Sequence, residues 1–479
     1  MFAVAGDGRK PYRRPSRRRA QGPGRLKSIP VRLQALYTPV DNAFLVVFRV
    51  FFGIIMCIDL VWHLLGRAVE QVWVLPRLHF KYYGFEWVAT WPGDGMYWHF
   101  AALSVLALCV AAGFYYRVSA VLLCLGFTHI FLVEKGAFQN HFYLLCLLSL
   151  LMIFLPAHRA FSIDALRGRV ARSATAPVWT LWLLRGQVAL VYFYGGVAKL
   201  NADWLQGEPM RLWLKGYSDY WLIGPYVQEE WLVGFFACGG LLLDLFIAPL
   251  LLWPLTRPYA FALGQTFHVL NHWIFRIGIF PWFMLGANLL FFAPDWPRRL
   301  WARLRQVPYA PVAAPPVAPA SPDRRRTVAL ALLAVYATIQ ILAPLRHLLY
   351  PGNTSWTEQG HRFAWRMMLR DKKVHAELIM RDPRSGVSFA VDLERYLAPW
   401  QRRVIVNDPD MILQLCRYLK EEKRRQGYAD YEVYAHINVS LNGRPPQLML
   451  DPSVDLASQS RTLLPAPWIK RLTVPLPAR

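Results

Sequence analysis

A series of long apolar runs constrains this chain more than any other feature of its sequence. The runs lie at residues 43–65, 98–116, 118–133, 140–156, 178–198, 231–253, 258–275, 277–293 and 327–347. A helix needs roughly 20 apolar residues to cross a bilayer core. The two runs on either side of Arg276 could instead form one hairpin or re-entrant element. We therefore predict an all-α polytopic membrane bundle with eight or nine transmembrane helices.

The composition fits a membrane protein better than a soluble enzyme. Of the 479 residues, 55% are hydrophobic and only 18% are charged, whereas a soluble chain carries about a quarter charged residues. The net charge is nevertheless +24. Because the basic residues are spread over several loops and a terminal arm rather than one folded face, we predict no nucleic-acid partner.

The positions of lysine and arginine predict the orientation of the chain. Residues 1–37 form a basic arm rich in Pro and Gly, which we expect to be disordered and to contact anionic membrane lipid. Cytoplasmic loops carry an excess of Lys and Arg. With nine spans, the arm and every basic loop fall on the cytoplasmic side and the C-terminal domain lies outside. Eight spans would place that domain in the cytoplasm, and we favour nine.

These patterns divide the chain into five parts. They are a basic cytoplasmic arm at 1–37, a transmembrane bundle at 38–293, an Arg- and Pro-rich cytoplasmic linker at 294–326, a last transmembrane helix at 327–349 and a small external α+β domain at 350–479.

The last part has the patterns of a soluble domain. Extended runs at 374–382 and 387–393 are joined by a turn sequence, and residues 411–425 have the spacing of an amphipathic helix. Residues 431–441 alternate like a strand. The strand ends at Asn442-Gly443, a hairpin signal, and a return strand follows to Asp451.

One lysine stands at the end of an apolar run, where a charge is costly. Lys199 follows Gly195 and Gly196 by about one helical turn. Burial disfavours the ammonium form, and a neutral lysine amine can act as a general base. The alternative is that Lys199 extends to the membrane interface and pairs with Asp203.

Other polar groups lie in or next to the apolar runs. His268 and His272 have the i, i+4 spacing of a metal pair, but no third ligand is evident, and we predict no metal site. We expect Arg49 and Asp244 to form a structural pair inside the bundle.

The six cysteines contain no CxxC pair and are predicted to be buried apolar side chains rather than disulfides. Further polar groups at run ends or near His268 are His141, His158 and Asn271.

Several of these groups belong to a set of matching motifs. The central one runs from Leu184-Arg185-Gly186-Gln187 through Tyr192 to Gly196-Val197-Ala198-Lys199-Leu200-Asn201-Ala202-Asp203-Trp204. Others follow in the same order as in the family: His158 with Ser162-Ile163-Asp164, Gly239-Gly240-Leu241-Leu242-Leu243-Asp244-Leu245, Phe267-His268 with Asn271, Ile277-Gly278 with Phe280, Pro294-Asp295-Trp296-Pro297-Arg298, Ser355-Trp356-Thr357, Trp365-Arg366-Met367-Met368 and Asp451-Pro452-Ser453-Val454-Asp455. On these residues the chain resembles the vitamin K-dependent γ-glutamyl carboxylases.

The resemblance implies an enzyme, a peptidyl-glutamate 4-carboxylase. In that family a lysine deprotonates reduced vitamin K (the hydroquinone), which then reacts with O2, and the γ-proton of a substrate glutamate is removed so that CO2 can add. By position, Lys199 would be the base, and His158 matches a histidine linked to carboxylation. We expect His268, Asn271 and His141 to be polar groups of the hydroquinone pocket. The implied partners are the quinone and a protein or peptide that contains glutamate.

The chain also departs from the family pattern. Ala198 replaces the first of two adjacent lysines, and Asn201 replaces an aspartate. We expect no counterpart of the C-terminal β-domain of the animal members, which would leave propeptide recognition without its usual elements. We expect a bacterial homologue in the inner membrane, with a cytoplasmic N-terminus and a periplasmic C-terminal domain. The alternatives are a non-catalytic quinone- or lipid-binding scaffold and a quinol epoxidase that does not carboxylate peptide.

Overall fold

The structure is a computed structural model that describes residues 34–221, 223–275, 277–313, 324–428 and 430–477. Nearly all of the basic arm and the Pro-rich part of the linker fall outside the described residues. What we predict for those two segments therefore stays a prediction.

The described part of the chain is mainly helical. Helices of seven or more residues, numbered in chain order, are α1 (Ala43–Leu65), α2 (Gly95–Ala112), α3 (Tyr116–Val133), α4 (Asn140–Phe154), α5 (Val178–Lys199), α6 (Glu230–Leu252), α7 (Arg257–Phe275), α8 (Phe280–Ala287), α9 (Trp296–Leu304), α10 (Arg324–Leu342), α11 (Pro399–Ile405) and α12 (Pro409–Arg425). A 3₁₀ segment, Ala343–Leu349, continues α10.

Five helical segments within the described ranges are long and apolar enough to cross a membrane. They are α1, α2, α3, α6 and α10 with its 3₁₀ extension. Helices α5 and α7 have the length but are less apolar, and α4 and Phe280–Phe291 are apolar but shorter. The chain is thus an integral membrane protein, and the predicted count of eight or nine spans is not confirmed.

Small residues let the first two spans pack closely. A Cβ atom at Gly53 of α1 would lie 2.5 Å from the carbonyl oxygen of Ala107 and 2.7 Å from the Cβ of Ala111, both on α2. Close backbone approach of this kind supplies much of helix packing in a membrane, where water expulsion contributes little between helices. Gly53 therefore allows α1 and α2 to pack in direct contact within the bundle.

Arg49 does not pair with Asp244, and that prediction is wrong. The buried guanidinium of Arg49 donates hydrogen bonds to the backbone carbonyls of Ala111, Ala157 and Phe161, at distances of 2.5–3.1 Å. Unpaired carbonyls at helix ends and in turns can satisfy a buried cation without a carboxylate. Arg49 therefore ties α1 to the segment that follows α4, while Asp244 is left for another partner.

A four-stranded antiparallel sheet forms the centre of the C-terminal region, by which we mean residues 350–477. Its strands are β3 (Lys372–Arg381), β4 (Ser388–Ala390), β5 (Glu432–Leu441) and β6 (Gln447–Leu448), in the order β4-β3-β5-β6. Two further short strands, β1 (Pro39–Asp41) and β2 (Thr175–Pro177), pair in the bundle part of the chain.

The sequence patterns of the C-terminal region are largely confirmed. Alternate residues of β5 are buried, and α12 covers the sheet with its apolar face. Asn442 and Gly443 both have positive φ, at 53° and 80°, as a two-residue hairpin turn requires. The return strand, however, is only two residues long, and beyond it a backbone hydrogen bond of 2.8 Å from Met449 to the carbonyl of Ile437 still joins the chain to β5.

The C-terminal region docks on the loop between α1 and α2. Phe80 of that loop is fully buried in the core of the C-terminal region. The side chain of Gln414 bonds to both backbone groups of Lys81, at 2.8 and 3.1 Å, and Gln401 donates to the carbonyl of Leu78 at 2.8 Å. Because these bonds use backbone groups, they fix the position of the loop on the C-terminal region.

A buried ion pair makes a second connection between the two parts. Asp203 lies in the one-turn helix Ala202–Leu205, just after α5. Its carboxylate accepts two hydrogen bonds of 2.7 Å from Arg444 and one of 2.8 Å from Asn442, at the β5 hairpin. The end of α5 is therefore held directly against the sheet of the C-terminal region.

Candidate active site

A cavity of about 350 Å³ lies where α5, α6 and α7 meet the C-terminal region. Lys199 and Asp244 line it from α5 and α6, and His268 and Asn271 line it from α7. Residues 361–370, an irregular segment before β3, contribute a further wall. The cavity therefore combines groups from the membrane bundle with groups from the C-terminal region.

Lys199 forms a buried ion pair with Asp244. The distance from the lysine Nζ to the carboxylate is 2.5 Å, and only 6% of each residue is exposed. The Nζ also donates to the carbonyl of Gly195 at 3.2 Å and lies 5.3 Å from the ring centre of Trp204. The alternative that Lys199 pairs with Asp203 at the interface is therefore wrong, since Asp203 is bound by Arg444.

Two glycines allow this pair to form. A Cβ at Gly195 would lie 3.2 Å from the Asp244 carboxylate, and one at Gly196 would lie 2.7 Å from Leu245 Cγ and 2.9 Å from its backbone nitrogen. Larger residues would hold α5 and α6 apart. The Gly195-Gly196 step is thus what brings the lysine of one helix to the aspartate of the next.

We expect Gly196→Ala to destabilise the protein by roughly 1–3 kcal/mol, the usual cost of overpacking, and to reduce any activity that depends on the Lys199–Asp244 pair. Thermal unfolding in detergent measures the first effect. Gly186→Ala on the same helix is the matched control, because a Cβ there meets nothing within 4 Å. Equal unfolding temperatures for the two variants would contradict this account of the helix contact.

His268 belongs to a buried hydrogen-bond chain. Its Nε2 lies 2.7 Å from the hydroxyl of Tyr192, which donates to the Oδ1 of Asn288 at 3.0 Å. The tyrosine has one proton, so Nε2 of His268 donates to it and Nδ1 is left as an acceptor. That Nδ1 is buried and has no partner among the described residues.

The structure brings four of the five predicted site residues to one cavity. His141, at the start of α4, lies in the lining with Lys199, His268 and Asn271, and its ring stacks on Phe280 at 6.0 Å. His158 is not among the residues that line the cavity. Its ring stacks instead on Tyr116 at 4.7 Å, beyond the far end of α4.

The cavity wall at 361–370 was not predicted as part of the site. It adds Arg362, Arg366 and Arg370, so that four cationic side chains face one carboxylate among the lining residues described. The signal was present in the matching motif Trp365-Arg366-Met367-Met368, but the sequence did not show that this motif folds over Lys199.

The wall has a strained backbone. Phe363, Trp365 and Met368 all have positive φ, between 51° and 61°. Each such non-glycine residue costs on the order of 1–3 kcal/mol and persists only where packing enforces it. Trp365, which is 1% exposed, supplies such packing. Strain of this kind is concentrated at functional sites.

The wall also contains buried hydrogen-bond donors without a partner among the described residues. Burial, followed by the nearby Arg370 and Arg366, holds the pKa of His361 well below its usual value, so the ring is neutral. Its Nε2 lies 2.6 Å from an Arg370 nitrogen, which can only donate, so the proton of His361 is on Nδ1. This Nδ1 and the Nε atoms of Arg362 and Arg366 are buried without partners within the described chain. Such donors suit an anionic ligand.

Two family models match the chain. The HTTM domain matches residues 37–296, which is more than half of the chain, and the lumenal domain of vitamin K-dependent gamma-carboxylase matches residues 325–474. The chain belongs to the vitamin K-dependent γ-glutamyl carboxylase family. The family predicted from the motifs is thereby confirmed. No solved structure matches this carboxylase-family chain.

The cavity of this carboxylase-family protein fits the hydroquinone that the family uses. Besides the polar groups, its walls include a set of aromatic side chains: Trp213, Phe236, Phe267, Phe275 and Phe280. A quinol has an apolar ring and tail with hydroxyl groups at the ring, so its hydroxyls can face Lys199 while the ring contacts the aromatic wall. In the described part of the chain, no three His, Cys, Asp or Glu residues are grouped to hold a metal ion.

Proposed function

We propose that this protein carboxylates glutamate residues of a protein or peptide at the γ-carbon, coupling the epoxidation of reduced vitamin K by O2 to the addition of CO2. One observation carries the proposal: a buried Lys–Asp pair, an arginine-rich wall and a set of aromatic side chains line the same cavity. The pair supplies a proton acceptor for the hydroquinone, and the wall supplies donors for the carboxylate of the substrate.

The Lys199–Asp244 pair can accept a proton without leaving the cavity. In the ion pair, the lysine is an ammonium and the aspartate is a carboxylate. Adding one proton leaves the ammonium in place and converts the carboxylate to a carboxylic acid. A hydroquinone hydroxyl next to Lys199 can therefore pass its proton to the pair, with Asp244 receiving it through the lysine. The hydroquinone, oxidised by O2, supplies the driving force for removing the γ-proton of glutamate. The aromatic walls limit access of water to that step.

The arginine-rich wall would hold the substrate glutamate. Arg366 is 9% exposed, and its Nε has no partner among the described residues. A carboxylate that accepts from this N–H and from His361 Nδ1 would be fixed with charge-assisted bonds. Its γ-carbon would then lie in the cavity that holds the hydroquinone.

Arg366→Gln is expected to raise the KM for a glutamate peptide by roughly tenfold, because a hydrogen bond to a charged group contributes about 1.5 kcal/mol or more. The rate of epoxide formation without peptide should change much less. Arg384→Gln, at an exposed turn, is the matched control. A parallel loss of epoxidation in Arg366→Gln would contradict a role specific to the peptide.

A direct assay tests the proposed function. Membranes that contain the protein are supplied with reduced vitamin K, labelled bicarbonate and a glutamate peptide, and both products are measured. Label in the peptide together with epoxide supports carboxylation. Epoxide without label in the peptide would support a quinol epoxidase. If well-expressed protein forms neither product, the remaining interpretation is a non-catalytic quinone- or lipid-binding scaffold.

We also propose that His158 takes part in carboxylation, although it is not among the residues that line the cavity. His158→Phe preserves a ring that can stack on Tyr116. If the imidazole is needed for carboxylation, this variant forms epoxide but little labelled peptide. If His158 only packs on Tyr116, His158→Phe retains both products and the proposed role fails.

We also propose that the arginine-rich loops lie in the cytoplasm and the C-terminal region lies outside, in a bacterial inner membrane. The excess of arginine near α9, with Arg298, Arg299 and Arg303, supports this orientation. A tag at Arg479 should then be accessible to an impermeant reagent in intact cells. Labelling only after lysis would reverse the orientation.

A further inference from the structure

A second cavity, of about 360 Å³, lies beside the first and has no part in the proposed chemistry. We call it the vestibule. It lies between the Tyr82–Phe85 loop, the end of the last span, the segment 357–363, the start of α12 and the chain at 460–469. Its volume is typical of a ligand site.

The vestibule and the active-site cavity share one wall. Arg362 lines both cavities. Its guanidinium forms an ion pair with Asp408, the residue that caps α12, and its carbonyl accepts a hydrogen bond from Arg346. The two cavities therefore meet at Arg362, and a polypeptide held in the vestibule lies next to the wall of the active-site cavity.

The carboxylates of the vestibule are already neutralised. Asp408 is paired with Lys135 and Arg362, and Asp410 is paired with Lys135 and Arg461. Glu358 is paired with Arg370, just before β3, and with Lys372, the first residue of β3. Burial alone would raise the pKa of Asp408, but Lys135 and Arg362 outweigh it and hold that pKa well below its usual value. Each of these carboxylates is therefore already paired with a cation and is not free to accept from a basic ligand.

The unused polar groups of the vestibule are donors. Arg346 and Arg362 both line it, and the Nε of each is buried without a partner in the described ranges. The Arg346 guanidinium also lies 5.1 Å above the ring of Phe363. Lys135, Arg362 and Arg461 are already paired with the lining carboxylates, so Arg346 is the cation of the described lining that has no carboxylate partner and can receive an anionic group.

The rim of the vestibule is open and partly aromatic. Tyr83, Phe85 and Leu463 line it and are 48%, 39% and 61% exposed. Exposed aromatic and apolar side chains around a charged site are typical of peptide recognition, since they contact the chain while the charges select its side chains.

We propose that the vestibule binds the acidic polypeptide segment that flanks the reactive glutamate. This inference rests on the proposed function, because it takes the active-site cavity to hold that glutamate. The flanking acidic side chains bind near Arg346, and the chain contacts Tyr83 and Phe85. The reactive side chain then extends past Arg362 into the active-site cavity.

Binding of a short fluorescein-labelled peptide rich in glutamate tests the proposal without any turnover. Fluorescence anisotropy is measured with the full chain in nanodiscs, and the same peptide with glutamine in place of glutamate serves as comparison. Leu463→Glu adds a negative charge to the rim and should weaken binding by about fivefold, as expected for one partly screened charge. Leu464→Glu is the matched control, because Leu464 is 70% exposed but does not line the vestibule.

The outcomes separate this proposal from the proposed function. Selective weakening by Leu463→Glu, with preference for the glutamate peptide, supports the vestibule even if no carboxylated product is ever formed. Equal affinities for Leu463→Glu and Leu464→Glu overturn the vestibule proposal even if the protein proves to be a carboxylase. No binding by the native chain, or equal binding of the glutamine peptide, also overturns it.

Discussion

Lys199→Ala is expected to lower both epoxide formation and peptide carboxylation by roughly 10²–10⁴-fold, the usual contribution of a general base. The reason is the position of the lysine amine, which faces the active-site cavity and shares a proton with a carboxylate 2.5 Å away. Without the amine, a hydroquinone proton loses its route through Lys199 to Asp244. Both products should be measured with reduced vitamin K and a glutamate peptide.

The matched control for this prediction is Lys215→Ala, because Lys215 is exposed and lies outside the cavity lining. Asp244→Asn should also lower both products, since the asparagine cannot take the second proton of the pair. If Lys199→Ala formed epoxide at the native rate, the assignment of the base would be wrong. If Asp244→Asn alone were fully active, Lys199 would act without its partner.

Arg444→Gln is expected to destabilise the protein by about 3–5 kcal/mol, because it leaves the Asp203 carboxylate buried without its cation. Asp203 is 5% exposed, and Arg444 supplies two of the three side-chain hydrogen bonds that its carboxylate accepts. The loss should appear as a lower free energy of unfolding in a detergent titration. Because this pair joins α5 to the β5 hairpin, the two parts of the chain should also become easier to separate by protease.

Two comparisons make this prediction specific. Arg402→Gln removes one partner of an exposed pair with Glu394 and should cost less than about 1 kcal/mol. Replacing both members, Asp203→Leu with Arg444→Met, should recover much of the stability, because no buried charge then lacks a partner. A loss in Arg444→Gln no greater than that in Arg402→Gln would show that the pair does not hold the two parts together.

The sequence predicted those parts of the candidate site that lie within a single segment of the chain. Lys199, its two glycines and the His268–Asn271 turn are local patterns, and each lies on a helix that was expected. Their partners come from distant positions in the chain. The pairing of Lys199 with Asp244 depends on which helices pack together, and hydropathy carries no information about that. For the same reason Arg49 and Asp244, two buried opposite charges, were wrongly assigned to each other.

The C-terminal region shows the same division. Alternation in β5 and the apolar spacing of α12 predicted its strands and helix to within a few residues. The segment 361–370 shows neither the alternation of a strand nor the apolar spacing of a helix. Three of its non-glycine residues have positive φ, which their residue types disfavour. Its path is set by the packing of Trp365 and by contacts with the bundle, so its role in the site became visible only in the folded chain.

The shared cavity has a consequence for the timing of synthesis. The Lys199–Asp244 pair can form as soon as α6 has entered the membrane, but the wall at 361–370 is made after every candidate span. A nascent or truncated chain that ends before that wall would hold a base open to its surroundings, with no substrate site above it. On the proposed function, the chemistry would thus be withheld until about three-quarters of the 479 residues have left the ribosome.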